Sequence, residues 1–261
     1  MASFTAYQSI LPDPNNKISR SGNTVNGGSS SASEQFAKFG PGFASVKFSS
    51  KQPVMMDRTN SGRVITRAIA GHTWQIDINY NPLTREEFEP VYAFLMAQNG
   101  KLNPFLLQLP QYLSSQNSGF STLSNNGTLL TLNEGSSVPA GRTYFRASWN
   151  GVAEYPAVGD VFNISDSSNS NHTKAYMVTR FEMTADSNTS FDASTLPSGL
   201  SAPFNVRIHF TPSLTAATSN GSTLDFTSPT FRVIQTSDVR EYSLGVDSLY
   251  KFGLKVEEAG I

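Results

Sequence analysis

Between His72 and Tyr80 the chain alternates without a break: Trp74, Ile76, Ile78 and Tyr80 fall on one face, Thr73, Gln75, Asp77 and Asn79 on the other. Side chains of an extended strand point to opposite faces with a period of two, so this run is a strand with one face in a core and one in water. Asn81-Pro82 ends it with a turn signal, and the period then changes. Thr84-Arg85-Glu86-Glu87 has the form of a capping box, in which the Thr hydroxyl serves the amide three residues on and Glu87 reaches back to the cap amide. Phe88, Val91, Tyr92 and Leu95 follow at helical spacing. Glu86 and Glu87 suit the positive end of the dipole, and Gly100 can supply a left-handed C-terminal residue. The spacing predicts a helix over residues 84–99. Pro90 removes one of its hydrogen bonds and is expected to kink or delay the first turn. Ala93, Phe94, Met96 and Ala97 extend the apolar surface, so the helix is expected to be covered on more than one side.

Alternation recurs at Val46–Ser50 and from Arg63 to Ile69, and Pro104 to Pro110 brackets a short apolar strand. The polar stretch Ser114–Asn126 reads as a domain crossing. Beyond it, strands are expected at 128–133, 143–149, 160–165, 174–183 and 204–210, separated by Gly, Asn, Ser and Pro clusters, which suggests a second small barrel or sandwich. Strands at 230–236, 241–246 and 250–257 close the chain. Residues 1–35 combine Pro12, Pro14, Gly22, Gly27, Gly28 and the run Ser29–Ser31. A segment of that kind buries too little apolar area to offset its ordering entropy and reads as a flexible arm. The expected class is mainly β, with one packed α-helix.

The sequence holds no cysteine, which excludes disulfides, thiolate nucleophiles and Cys-ligated zinc and fits a reducing compartment. The start shows neither a basic n-region nor an apolar h-region, and no apolar run approaches the roughly 20 residues of a membrane span, so a soluble chain without a signal peptide is expected. Charged residues are 15%, against a usual share of about a quarter. A surface so poor in charge repels its own copies weakly and suits protein contacts. The 19 Lys and Arg are scattered among 20 acids, so no basic stripe for nucleic acid is present.

Motifs for chemistry are missing. The three histidines, His72, His172 and His209, form no ligand pair at helical or hairpin spacing and read as structural or surface residues. No nucleophile elbow, phosphate loop, dinucleotide fingerprint or His-Glu-x-x-His is found. Gly159-Asp160 reads as a turn into a strand rather than a metal carboxylate, and Glu257-Glu258 as solvated. Catalytic, metal and cofactor residues are therefore expected to be none. Sequons at Asn126, Asn163, Asn171, Asn188 and Asn220 are about what chance supplies in so polar a chain. Tyr144, Phe145, Trp149 and Tyr155 cluster in the second half, where they can serve core, interface or sugar stacking.

The order of these elements resembles a known family: Gly71–Tyr80, then Pro82–Phe88, Ala93–Leu95 and Gly100, then Phe105 and Leu109-Pro110, and later Trp149, Gly159-Asp160, Thr211-Pro212 and Tyr250–Leu254 running into Glu257–Ala259. It is similar to the distal-tail-like minor tail and baseplate proteins of tailed bacteriophages. The resemblance implies a split-barrel or sandwich-like β domain with one helix, residues 36–115 with 215–261, into which a small β-barrel or sandwich domain, 116–214, is inserted. It implies a structural subunit and no enzyme: a ring of copies, six in number, at the distal end of the tail tube. The ring would join the tube to hub or receptor-binding parts, with no cofactor, no nucleic-acid specificity and no membrane insertion. The place implied is the virion tail, after assembly in the host cytoplasm. A carbohydrate- or receptor-binding β-sandwich of a tail fibre is the alternative. The N-terminal arm and Pro90 depart from the family's pattern.

Overall fold

The computed structural model describes Leu11 and residues 43–68, 71–120, 130–149, 155–169, 172–183, 204–227, 229–237 and 241–259. In chain order the elements are β1 (Phe43–Lys51), β2 (Val54–Arg58), β3 (Val64–Ala68), β4 (Thr73–Tyr80), α1 (Arg85–Ala97), β5 (Phe105–Gln108), β6 (Leu130–Leu132), β7 (Tyr144–Trp149), β8 (Val161–Ser165), β9 (Ala175–Met183), β10 (Phe204–Thr211), β11 (Thr223–Asp225), β12 (Thr230–Gln235), β13 (Ser243–Leu244), β14 (Tyr250–Lys251) and β15 (Gly253–Glu258). The chain is mainly β and divides into two compact units, residues 1–107 with 232–260 and residues 108–231.

The first unit is built on a five-stranded sheet in the order β1-β4-β15-β12-β5. Trp74, Ile76, Ile78 and Tyr80 of β4 are buried, as their alternation requires, and Leu254 and Val256 of β15 and Val233 of β12 continue the same layer. α1 lies on it through Phe88, Val91, Phe94 and Leu95, all buried. Each such side chain contributes roughly 1.5–3 kcal/mol on burial. The N-terminus of α1 is held by Glu87, whose carboxylate accepts from the Thr84 backbone N–H and from its hydroxyl, each at 2.9 Å. At the other end Asn99 and Gly100 take positive φ values of 52° and 70°, stopping the helix, and buried Gln235 donates to the Leu95 carbonyl at 3.1 Å.

Three expectations for this unit change. The helix runs unbroken through position 90. Ala93, Met96 and Ala97 are exposed, because only the stripe continued by Phe94 meets the sheet. Glu258 is not solvated: it is buried, and its carboxylate accepts the Trp74 backbone N–H at 3.2 Å. Of the arm, residues 1–10 and 12–35 lie outside the described residues. Leu11 is 1% exposed and donates its N–H to the Leu106 carbonyl at 2.9 Å, so at this position the chain belongs to the core.

The second unit is a closed barrel in the order β10-β7-β6-β11-β8-β9. Its interior is filled by Phe145, Phe162, Tyr176, Phe210 and Phe226 together with Ala147 of β7 and Leu, Ile or Val from each of the other five strands. Closure pairs all six strands, which removes the open edges a small sheet would otherwise present. The three residues of β11 complete it, Thr223 pairing with Thr131 on one side and Ser165 on the other. This moves residues 215–231 out of the first domain, to which the sequence assigned them, and the division at the front falls at 107/108 rather than 115/116.

Candidate functional site

The residues weighed for chemistry are dispersed into structural roles. His72 bonds Ser50 Oγ at 2.9 Å and sets its ring against Trp74. His172 is buried in the barrel between the Tyr176 hydroxyl at 2.8 Å and Thr218 Oγ1 at 3.2 Å. Burial lowers its pKa, the nearby Asp166 carboxylate opposing, so it sits there as a neutral hydrogen-bonding ring. His209 lies on the barrel's outer side, 3.2 Å from Glu182. Asp160 closes the turn after Gly159: its buried carboxylate accepts from Ser115 Oγ, from Gln116 N at 3.0 Å and from Ala157 N at 2.8 Å. Among the described residues no three His, Asp or Glu side chains are grouped to hold a metal, and no helix is long and apolar enough to cross a membrane.

The aromatic cluster does not gather on one surface. Phe145 is in the core, Tyr155 stacks on Phe181, Tyr144 is partly exposed, and the Trp149 side chain lies outside the described residues. An open groove of about 600 Å³ crosses the first unit's sheet where Gly253 leaves room beside Asn79; Asp77, Gln235, Thr236, Glu241 and Lys255 also line it. Its lining is the cross-strand surface of β4, β15 and β12 with the chain that follows β12.

The unusual feature is a ribbon. β1 and β4 pair from Phe43 opposite Tyr80 to Lys51 opposite Thr73, and past that point the two strands continue as β2 and β3 in a separate two-stranded sheet. Met55 stands opposite Arg67, Met56 opposite Thr66 and Asp57 opposite Ile65. The tip is fixed locally: Thr59 Oγ1 accepts the Arg63 N–H at 3.1 Å, and Gly62, with φ of 80°, donates to the Thr59 carbonyl at 2.8 Å. Every residue of β2 is exposed, and Val54, Met55, Met56, Val64 and Ile65 stand 45–64% open. Alternation places Val54, Met56 and Val64 on one face, with Thr66 and Arg58, and Met55 and Ile65 on the other, beside Asp57 and Arg67, so both faces carry exposed apolar side chains. A lone two-stranded ribbon is marginal in water and gains stability by packing on something else. Sequence reading found half of it, as the strand from Arg63. It missed β2, because Val54-Met55-Met56 has no alternation; the signal available was three consecutive apolar residues with no buried face to receive them.

Residues 35–112 match the family described as distal tail protein pb9, A domain, N-terminal. In this span the chain is similar to phage distal tail proteins. The matched span takes in β1, the exposed ribbon, β4, α1 and β5, while the barrel strands fall beyond it. No curated protein matches the chain. The role that follows from the matched domain is a structural one in the phage tail.

Proposed function

We propose that this distal-tail-like protein closes with copies of itself, six in number, into a ring at the distal end of the tail tube. The β2–β3 ribbon of each copy packs on its neighbour, and the ring links the tube to hub or receptor-binding proteins. It acts by packing, with no catalytic step, cofactor, nucleic-acid specificity or membrane insertion, and it is assembled into the virion from the host cytoplasm. The observation that carries this reading is the ribbon's double apolar exposure. A ribbon open on both faces is served by insertion between two surfaces, and contacts of that head-to-tail kind close into rings when the rotation permits. Burying the remaining exposed part of five side chains is worth roughly 1 kcal/mol each, about 5 kcal/mol per ribbon before the costs of association.

The experiment is native mass spectrometry of the purified full-length protein beside a Met56→Glu, Ile65→Glu variant. The wild type is expected at a cyclic multiple of 28.3 kDa and the variant at a single copy with unchanged circular dichroism. An oligomer equally populated in both would remove the ribbon from the contact.

A further inference from the structure

We infer that the outer face of the barrel formed by β7, β10 and β9 binds an acidic segment of another protein through its arginines. This rests on the geometry of the second unit alone and is independent of the ring.

The inward residues of these strands, Phe145, Ala147, Val206, Ile208, Phe210 and Val178, fill the core, so their alternates point outward. Those alternates are chemically one-sided. Arg207 stands opposite Arg146 on β7 and opposite Glu182 on β9; His209 stands opposite Tyr144 and Arg180. With Arg142 just before β7, four guanidiniums lie on three neighbouring strands of a chain whose net charge is only -1.

The acids in their midst are already engaged. The Glu182 side chain is 6% exposed beneath Arg180 at 2.5 Å, Arg207 at 3.5 Å and His209 at 3.2 Å. Glu134 turns its carboxylate to the Arg146 backbone N–H at 2.6 Å. Among the described residues four guanidiniums against two carboxylates leave the face positive, and Arg180, 61% exposed, and Arg146, exposed, are the outermost of them.

The face is also held in shape. The guanidinium carbons of Arg142 and Arg207 lie 5.3 and 5.4 Å from the Tyr144 ring centre, and the His209 ring is 5.5 Å from it. Cations resting on an aromatic ring lose less freedom when they engage an anion, and a guanidinium presents a planar fork that matches a carboxylate. The same packing decides the partner class. Tyr144 already carries Arg142 and Arg207 against its ring, and these compete with a base or a sugar ring for stacking there. Three strands span only about 10 Å, a compact patch for two or three carboxylates, whereas a phosphate polymer is followed by a long stripe. Arg and Tyr together are moreover the residues that dominate protein–protein hot spots.

The test is fluorescence anisotropy with a labelled oligo-glutamate peptide on the full-length protein at about 50 mM salt. The peptide is expected to bind saturably, to weaken as salt rises, and to bind about tenfold more weakly to Arg142→Gln, Arg146→Gln. A Lys101→Gln, Lys251→Gln variant makes the same change in net charge elsewhere and is expected to bind as the wild type does. Should the arginine pair fail to fold, Arg180→Gln alone is the second variant, expected to weaken binding a fewfold. The inference is overturned by absence of peptide binding, by equal binding to the arginine variants, or by equal loss in the lysine control. Tighter binding of a thymidine oligonucleotide or polyphosphate, reduced by the arginine changes, would replace the acidic protein with a phosphate polymer and also overturn it.

Discussion

Asp160→Ala tests how the barrel's entry turn is held. The Asp160 carboxylate is buried and accepts three donors, the Ser115 hydroxyl and the backbone N–H groups of Gln116 and Ala157. Alanine removes the acceptor and leaves the donors behind. The hydroxyl can rotate to another partner, but the two amides are fixed by the chain and only part-buried, and an unsatisfied donor costs about 1–3 kcal/mol, towards the lower end where water reaches it. The expected loss for the two amides is therefore about 2–4 kcal/mol. Asp160→Asn keeps the shape and one acceptor oxygen but turns an NH₂ group toward one of the amides, so about half that loss is expected. At about 3–5 °C per kcal/mol for a unit of this size, differential scanning calorimetry should show the barrel transition fall by about 6–20 °C for Ala and about half as much for Asn. Ser115→Ala removes only a donor, and its cost should stay near 1 kcal/mol. A shift under about 3 °C for Asp160→Ala would show that water reaches these amides and that the carboxylate is not what closes the turn.

Acidification should weaken the barrel in two stages. His172 has its pKa lowered from 6.5 by burial, so its contribution is present above about 6.5, where both states are neutral, and falls as the unfolded chain takes up a proton below that. For Asp166, burial raises the pKa but the N–H groups of Ser219 and Ser168 outweigh it and the net shift is downward, so its contribution is lost further down, as pH falls from the usual carboxylate range through the folded value. Urea titrations at a series of pH values should show the first stage vanish in His172→Gln; an undiminished slope there would assign it to another group. Leu11→Ala should destabilise the first unit by about 2–3 kcal/mol in chemical denaturation, and deletion of residues 1–30 by at least as much. An unchanged midpoint would return Leu11 to a dispensable arm.

How far the fold could be read depended on where burial is one-sided. β4 was legible because Trp74, Ile76, Ile78 and Tyr80 all enter one core while their neighbours meet water. The start of α1 was legible because Thr84 and Glu87 are local partners. Where burial is decided by distant partners, nothing local announced it. Leu11 is a single apolar residue in a polar segment, and its partner is ninety-five positions away at Leu106. Glu258 looks solvated until β15 is laid beside β4 and the Trp74 amide needs an acceptor. β11 is three residues long, too short for any period to show. β2 fails for the opposite reason: every residue of it is exposed, so no alternation is selected within the chain itself. Among the charged residues, Arg180, Glu182, Arg207 and His209 alternate as any solvated strand does, and only the register of β9 on β10 brings them together.

The central claim, that this chain is a ring subunit of the phage tail whose ribbon is covered by its neighbour, is tested most directly by cryo-electron microscopy of the tail tip in intact particles. The account predicts a cyclic ring of six copies at the end of the tube, with Val54, Met55, Met56, Val64 and Ile65 buried between adjacent subunits. A tail tip in which the chain occurs as a single copy, or in which those five side chains remain open to solvent, would contradict it.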